Sequence, residues 1–380
     1  MKKILSLLLI FSTLVLLFSC GPKYKPVKST KEEQTTVYTL TLDGEEYEVR
    51  YELYRAFFLN LRDTVDGGDR SVWQGENKQE YIDRIDAKIL EYVTDIYAAF
   101  AVCKRIGFDV YSNDVDEKIE EYVVSGVEGG YALVPTWNGI ITEIRIEGNG
   151  SYDAYLASLK AMNVNYSVQE LLYRYYIALS AIDSYYIGTF SDDNIEESVE
   201  VGAFEYTRDD VLAFYNSDEC VRLLRHFFLA EYATNPAQRA ESERLSILDA
   251  ALHGDDAVVT EIIGLGGITS ISEVRNGIIV ARYNLDEAYA SELAEAAFNM
   301  SLGEVSEVIE ISDGFEHSYN VFYRAEKSQE HFDADYASIA YAFLKNKVGK
   351  ILDEAEGSLA GSIEMTDFIE NLDRSAISME

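Results

Sequence analysis

The stretch "LGEVSEVIEISDGFEHSYNVFYRAEK", Leu302 to Lys327, decides how this chain folds. Two β-leaning runs, "EVIEIS" and "YNVFYR", flank the glycine Gly314, which reads as a pair of strands joined by a turn. Between them "FEHS" carries His317 and interrupts the alternation, so "YNVFYR" is where the second strand resumes.

Working outward, "TRDDVLAFYNSDECVRLLRHFFLAEY", Thr207 to Tyr232, reads as a short helix capped at Thr207 or Asp209 and then an apolar strand carrying His226. A helix follows from Pro236, suited to a first turn, to about Leu252. "IIGLGG" and "NGIIVARY" are expected in sheet, and Glu287 to Asn299 in helix, giving an α+β order.

The flanks are helical. Before the mixed segment, alternation from Val37 to Leu42, an Asp43-Gly44 turn and a second short strand lead into a helix from about Tyr51. Ile82, Ile85, Ile89, Tyr92, Val93, Ile96, Phe100 and Cys103 recur at helical spacing until Gly107. Further helices are predicted at Val115 to Val124 with Asn113 or Asp114 as cap, at Tyr152 to Met162 and at Val168 to Tyr186. Glu128 to Gly150 reads as a loop or hairpin whose Tyr131 and Trp137 either touch a partner or pack on the neighbouring helices. After Gln329 the helical pattern returns, with Tyr336, Ile339, Ala340, Phe343, Leu344, Val348 and Ile351 on one face.

At 380 residues the chain has room for two or three domains, and its 48% hydrophobic and 26% charged residues are those of a globular protein. A formal net charge of -35 excludes nucleic acid and anionic lipid headgroups as natural partners and favours cationic ones, unless the acidity only serves solubility. Neither a phosphate loop, a dinucleotide fingerprint, a nucleophile elbow nor a zinc spacing occurs, so no cofactor and no metal are expected. Cys103 and Cys220 read as buried free thiols rather than a bridge.

At the N-terminus Lys2 and Lys3 precede an apolar run from Ile4 to Phe18, then "LFSCG" with Ser19 before Cys20. The run suits a secretory signal core. With Cys20 in place it resembles a bacterial lipoprotein signal, which implies lipid attachment at Cys20 and anchoring outside the cytoplasm. An ordinary signal peptide with an incidental cysteine is the alternative. Gly21 to Thr36 reads as a disordered polar tether.

Taken together, "DDVLAFYNSDECVRLLRHFFL", "AEAAFNMSLGEVSEVIEISDG" and "NVFYRAEK" resemble the parvulin-type peptidyl-prolyl isomerase domain, and the flanks resemble extracytoplasmic foldases of the SurA and PrsA kind. The resemblance implies a signal peptide over 1-19, a tether over 20-36 and a helical chaperone-like domain over 37-206. It further implies an inserted parvulin-like α/β domain over 207-328 and a C-terminal segment, 329-380, that packs back on the helical domain. The implied partners are unfolded or newly secreted polypeptides and, through Cys20, the membrane; dimerisation is left open.

Prolyl isomerisation must cross a rotation barrier of about 18–20 kcal/mol without making or breaking a bond. A catalyst therefore grips the proline ring and hydrogen-bonds the twisted amide. The resemblance places the first family histidine at His226 and the substrate groove at Tyr289, Leu293 and Phe298. The second histidine is expected where Glu316 stands, with His317 one residue later. Two readings follow: an isomerase using His226 and that groove, or a holdase that binds unfolded chains without catalysis.

Overall fold

The computed structural model describes residues 27–66, 70–137, 141–148, 150–188, 199–229, 234–266, 271–283, 291–312 and 317–377. Cys20, Tyr289 and Glu316 lie outside them.

The chain begins as the alternation predicts. Strand β1 (Thr36–Leu42) and strand β2 (Glu45–Arg50) are joined by Asp43 and Gly44, both at positive φ, 55° and 78°. That is the backbone of a two-residue hairpin turn whose twist matches its strands. Helix α1 (Tyr51–Asp66) follows at once, then α2 (Lys78–Arg105), which runs 28 residues and ends on Lys104 and Arg105, cations at the negative end of the helix dipole. Residues expected in the tether are fastened to α1 instead: Glu33 accepts from Arg55 at 2.6 Å, and Tyr51 N–H donates to the Thr35 carbonyl at 2.8 Å.

Helix α3 (Asn113–Gly129) is capped one residue earlier than expected, by Ser112, whose Oγ accepts the Val115 N–H. The segment read as a loop or hairpin is a hairpin, β3 (Tyr131–Pro135) with β4 (Ile141–Arg145). Its Trp137 packs edge-on to Phe57 with centroids 5.7 Å apart, while Tyr131 is exposed. Helices α4 (Tyr152–Ala161) and α5 (Tyr166–Tyr186) complete this half, and a small ribbon, β5 (Val199–Val201) with β6 (Phe204–Tyr206), leads out of it.

Helix α6 (Arg208–Asn216) opens with a reciprocal capping box between Thr207 and Asp210. Strand β7 (Cys220–Leu229) comes next, then α7 (Pro236–Ala251), α8 (Asp255–Leu265) and the short α9 (Ile271–Arg275). "IIGLGG" is therefore not sheet. Val258 and Ile262 recur at four residues and are buried, so the run closes a helix that stops at Gly266, φ 65°. Strand β8 (Ile278–Ala281), α10 (Ser291–Asn299), β9 (Ile309–Ser312) and β10 (His317–Arg324) follow. The sheet order is β8-β7-β10-β9, antiparallel throughout.

The chain returns through α11 (Gln329–Ala334) and α12 (Tyr336–Ala360), ending in β11 (Glu364–Met365) and α13 (Asp367–Glu370). Strand β11 pairs with β1, making a sheet of order β11-β1-β2, so the last strand lies beside the first. Helix α12 packs along α2 and is tied to α5 by Lys345 and Asp183 at 2.7 Å. A single apolar cluster runs through α1, α2, α5 and α12 and reaches Cys220, Ile279 and Ala281 of the second sheet. Where α12 meets β8 the backbones nearly touch: a Cβ on Gly349 would stand 1.6 Å from the Tyr283 carbonyl oxygen.

Among the described residues no helix is long and apolar enough to cross a membrane.

Candidate functional site

Strand β7 alternates, and the alternation sorts the expected site residues onto two faces. Val221 and Leu223 join Ile278, Val280, Phe322, Leu293 and Ala297 in one core, with Phe298 packed against it. Leu224 joins Val321, Tyr323, Ile247, Val258 and Ile262 in another, on the opposite side. His226 stands directly across from Val321 and two residues after Leu224, so it belongs to the second face, under α7. The structure does not bring His226 together with Leu293 and Phe298. A difference of one residue along a strand is enough to separate them.

His226 is fully buried, and its Nε2 is hydrogen-bonded to Oε2 of Glu243 on α7. The other carboxylate oxygen of Glu243 accepts from Arg239 Nε at 2.9 Å. Burial pushes the imidazole below its usual pKa, and the attraction of Glu243 offsets this only in part. The imidazole thus bonds through Nε2 to a carboxylate that is itself held by an arginine. Nothing in that geometry presents a ring nitrogen to a substrate.

Arg225 is a polar β7 residue on the face of Val221, Leu223 and Leu293. Its Nε and Nη2 reach Asn320 Oδ1 at 3.3 and 3.2 Å, and the Asn320 amide in turn donates to Ser318 Oγ at 3.0 Å. A buried asparagine in an otherwise aromatic run, "YNVFYR", was the available signal for this pair. Phe298 is covered by Arg282, whose guanidinium carbon lies 4.3 Å from the ring centroid. By backbone register His317 pairs with Ser312 and stands four residues along β10 from Val321, roughly 13 Å by strand rise.

His331 and the cysteines are internal as well. Tyr215 hydroxyl donates to Nδ1 of His331 at 2.8 Å and accepts the Ser328 N–H, and burial with Arg222 nearby lowers His331 to about 4. Cys103 and Cys220 are buried free thiols, raised by burial to about 12 and about 11. His253 is exposed beyond the end of α7. Among the described residues no group of histidine, cysteine and carboxylate side chains could hold a metal.

A concavity lies elsewhere, in the helical half. A cleft of about 920 Å³ opens between β2, the C-terminal part of α2, residues 107–111 and the start of α5. Its floor is a row of rings: Tyr47 to Tyr97 at 5.6 Å between centroids, Tyr97 to Phe100 at 5.7 Å and Phe100 to Tyr111 at 6.0 Å. Arg174 closes the row, 5.1 Å from the Tyr111 centroid. Tyr111 is 59% exposed, so the row ends in solvent rather than in a core. Burial raises the pKa of Tyr97, whose hydroxyl donates to the Glu48 carbonyl.

The walls are acidic. Six carboxylates line the cleft against three cations, Arg50, Lys104 and Arg174. Lys104 is matched by Glu45 at 2.7 Å, and Arg174 by Glu170 and Asp116, both at 2.5 Å. Glu52 at the inner end is held by Ser167 Oγ at 2.9 Å and Asn165 Nδ2 at 3.0 Å. Its lining combines ring faces with carboxylates, groups that attract apolar and cationic side chains. Local periodicity could not reveal it, because its walls come from separate parts of the chain. An aromatic residue in the polar turn "DVYSND" was the one local hint.

No family model matches the chain, and no curated protein matches it. Among solved structures it is similar to the foldase protein PrsA from Lactococcus lactis at 14% identity. The match covers 88% of this chain and 95% of that one with a TM-score of 0.23. It is likewise similar to PrsA from Streptococcus pneumoniae at 13% identity, over 76% of this chain and 89% of that one, TM-score 0.22. Superpositions this loose transfer neither a fold nor a residue role.

Proposed function

We propose that this protein is a polypeptide-holding chaperone, anchored outside the cytoplasm through a lipidated Cys20, that binds unfolded segments without isomerising prolines. The observation that carries the reading is the cleft: an aromatic row open to solvent at Tyr111 and walled by excess carboxylates. Unfolded chains expose apolar side chains and cations together. Ring faces bind both, and the acidic walls favour the second.

Catalysis is left out because the geometry around the one well-matched histidine is closed. His226 is buried and bonded to Glu243, while Leu293 lies on the other side of the sheet. In this reading residues 207–328 form an insert on a helical body built from both ends of the chain, and they extend the body rather than act on the client.

Suppression of aggregation of a chemically unfolded, basic client is the test. The protein is expected to suppress it, Tyr111→Ala with Glu48→Lys is expected to lose most of that effect, and a protease-coupled assay on Ala-x-Pro peptides is expected to show no rate. Unchanged aggregation, or an isomerase rate abolished by His226→Ala, overturns the reading. Anchoring is checked separately: Cys20→Ala should move the processed protein from the membrane to the soluble fraction.

A further inference from the structure

The cleft has one wall that is not made of side chains. Strand β2 is the end strand of its sheet, and among the described residues nothing pairs with its outer edge. Leu42 and Glu45 flank the two-residue turn and are directly paired, which makes them the hydrogen-bonded pair of the hairpin. Bonding then alternates along the ladder, so Tyr47 turns its backbone groups to β1 while Glu46 and Glu48 turn theirs outward. The hydroxyl of Tyr97 confirms the direction by donating to the Glu48 carbonyl at 2.9 Å. That leaves the Glu46 N–H and C=O, the Glu48 N–H and the second lone pair of the Glu48 carbonyl facing the cleft.

Resting on the reading of the cleft as a polypeptide site, we infer that an extended client segment adds to this edge as a new strand beside β2. The side chains of β2 then specify the segment. Tyr47 and the buried Val49 turn toward α2, so alternate residues of the added strand lie over the Tyr97 and Phe100 rings and are apolar. Glu46 and Glu48 stand on the other face, are both exposed, and take basic residues in the intervening positions. The same glutamates repel an acidic strand, including a second copy of β2. The partner is therefore an extended segment in which lysine or arginine alternates with apolar residues.

A fluorescein-labelled peptide of alternating lysine and phenylalanine or valine, titrated with the full chain and followed by anisotropy, tests this. Two methylated versions carry N-methyl groups on alternate backbone nitrogens, one on each set. Strand addition predicts that one version loses about ten-fold or more in affinity, since outward N–H and C=O groups can no longer pair, and that the other binds within about two-fold of the parent. Glu46→Pro, which deletes an outward N–H and no ladder bond to β1, should weaken the parent peptide similarly. Equal binding of the parent and both methylated versions overturns strand addition while leaving the cleft reading intact. No binding of the parent peptide removes both. A concentration-dependent dimer that Glu46→Pro disperses overturns the inference in favour of a second copy at the edge.

Discussion

His226 on β7 and Glu243 on α7 are joined by a hydrogen bond from which solvent is excluded, and the bond clamps the helix to the sheet. Removing the imidazole leaves a carboxylate that is 8% exposed with Arg239 as its remaining partner. His226→Ala is expected to destabilise the protein by about 2–4 kcal/mol through the cavity and the weakened carboxylate. Glu243→Gln, which keeps a hydrogen-bond acceptor, should cost less. Urea denaturation monitored by circular dichroism checks the order, and a stable His226→Ala would mean the pair is not a clamp.

Stability should peak in mildly acidic solution. Burial, then Glu356 and Glu91, raise Asp95 on α2 from 3.8 to about 8, and burial, then Asp353 and Glu91, raise Glu356 on α12 from 4.5 to about 7. A carboxyl whose folded pKa is raised holds a proton that the unfolded chain has released, so stability falls as pH climbs toward 8. His226 and His331 act the other way: their folded pKa values lie below 6.5, His331 at about 4, and stability falls as pH drops below 6.5. The two effects oppose each other between about pH 4 and 6.5, leaving only the carboxyls above it. Asp95→Asn is expected to raise the melting temperature at pH 8 by about 3 °C and to flatten its decline between pH 6.5 and 8. An unchanged slope would remove the α2–α12 carboxyls as its cause.

Gly349 sets the distance between α12 and the strand end after β8. The Tyr283 N–H donates to Asn346 Oδ1 at 3.1 Å, and Asn346 Nδ2 donates to Glu219 Oε2 at 2.9 Å, so the approach is fixed by hydrogen bonds on both sides. Gly349→Ala forces the helix away and breaks them. A loss of about 2–4 kcal/mol is expected. Gly357→Ala on the same helix, where nothing lies within 4 Å, should instead be neutral or stabilising. Thermal melts of the two variants side by side decide it.

The two thiols should be inert in the folded protein. Cys103 lies against the Ala178 carbonyl at 3.5 Å and Cys220 against the Phe214 carbonyl at 3.5 Å, both with thiolate formation suppressed by burial. An aromatic disulfide reagent is expected to label neither over an hour at pH 8 and both within minutes in denaturant. Rapid native labelling of Cys220 would show that the junction between the helical half and the second sheet opens.

Much of the architecture was legible because it is written in local periodicity. The Asp43-Gly44 turn, the three- and four-residue steps from Ile82 to Cys103 and the Thr207 cap each dictate a backbone that needs no distant partner to be recognised. Where local signals conflict, tertiary burial chose. "IIGLGG" carries β-branched residues and glycines, yet Val258 and Ile262 find a core only as a helix packed on the sheet. The end of the expected tether carries no periodicity but is held by the Arg55 to Glu33 ion pair.

The functional reading divides in the same way. The sequence by itself determined that a strand carries His226, that a second strand carries "YNVFYR", and that the chain is acidic and rich in tyrosine. Only the tertiary structure decided which face His226 occupies, because strand periodicity of two makes a single-residue offset invisible until a neighbour such as Glu243 is seen against it. Only the tertiary structure assembled Tyr47, Tyr97, Phe100 and Tyr111 beside an open strand edge, since a cleft is a property of where the chain returns and not of any stretch along it.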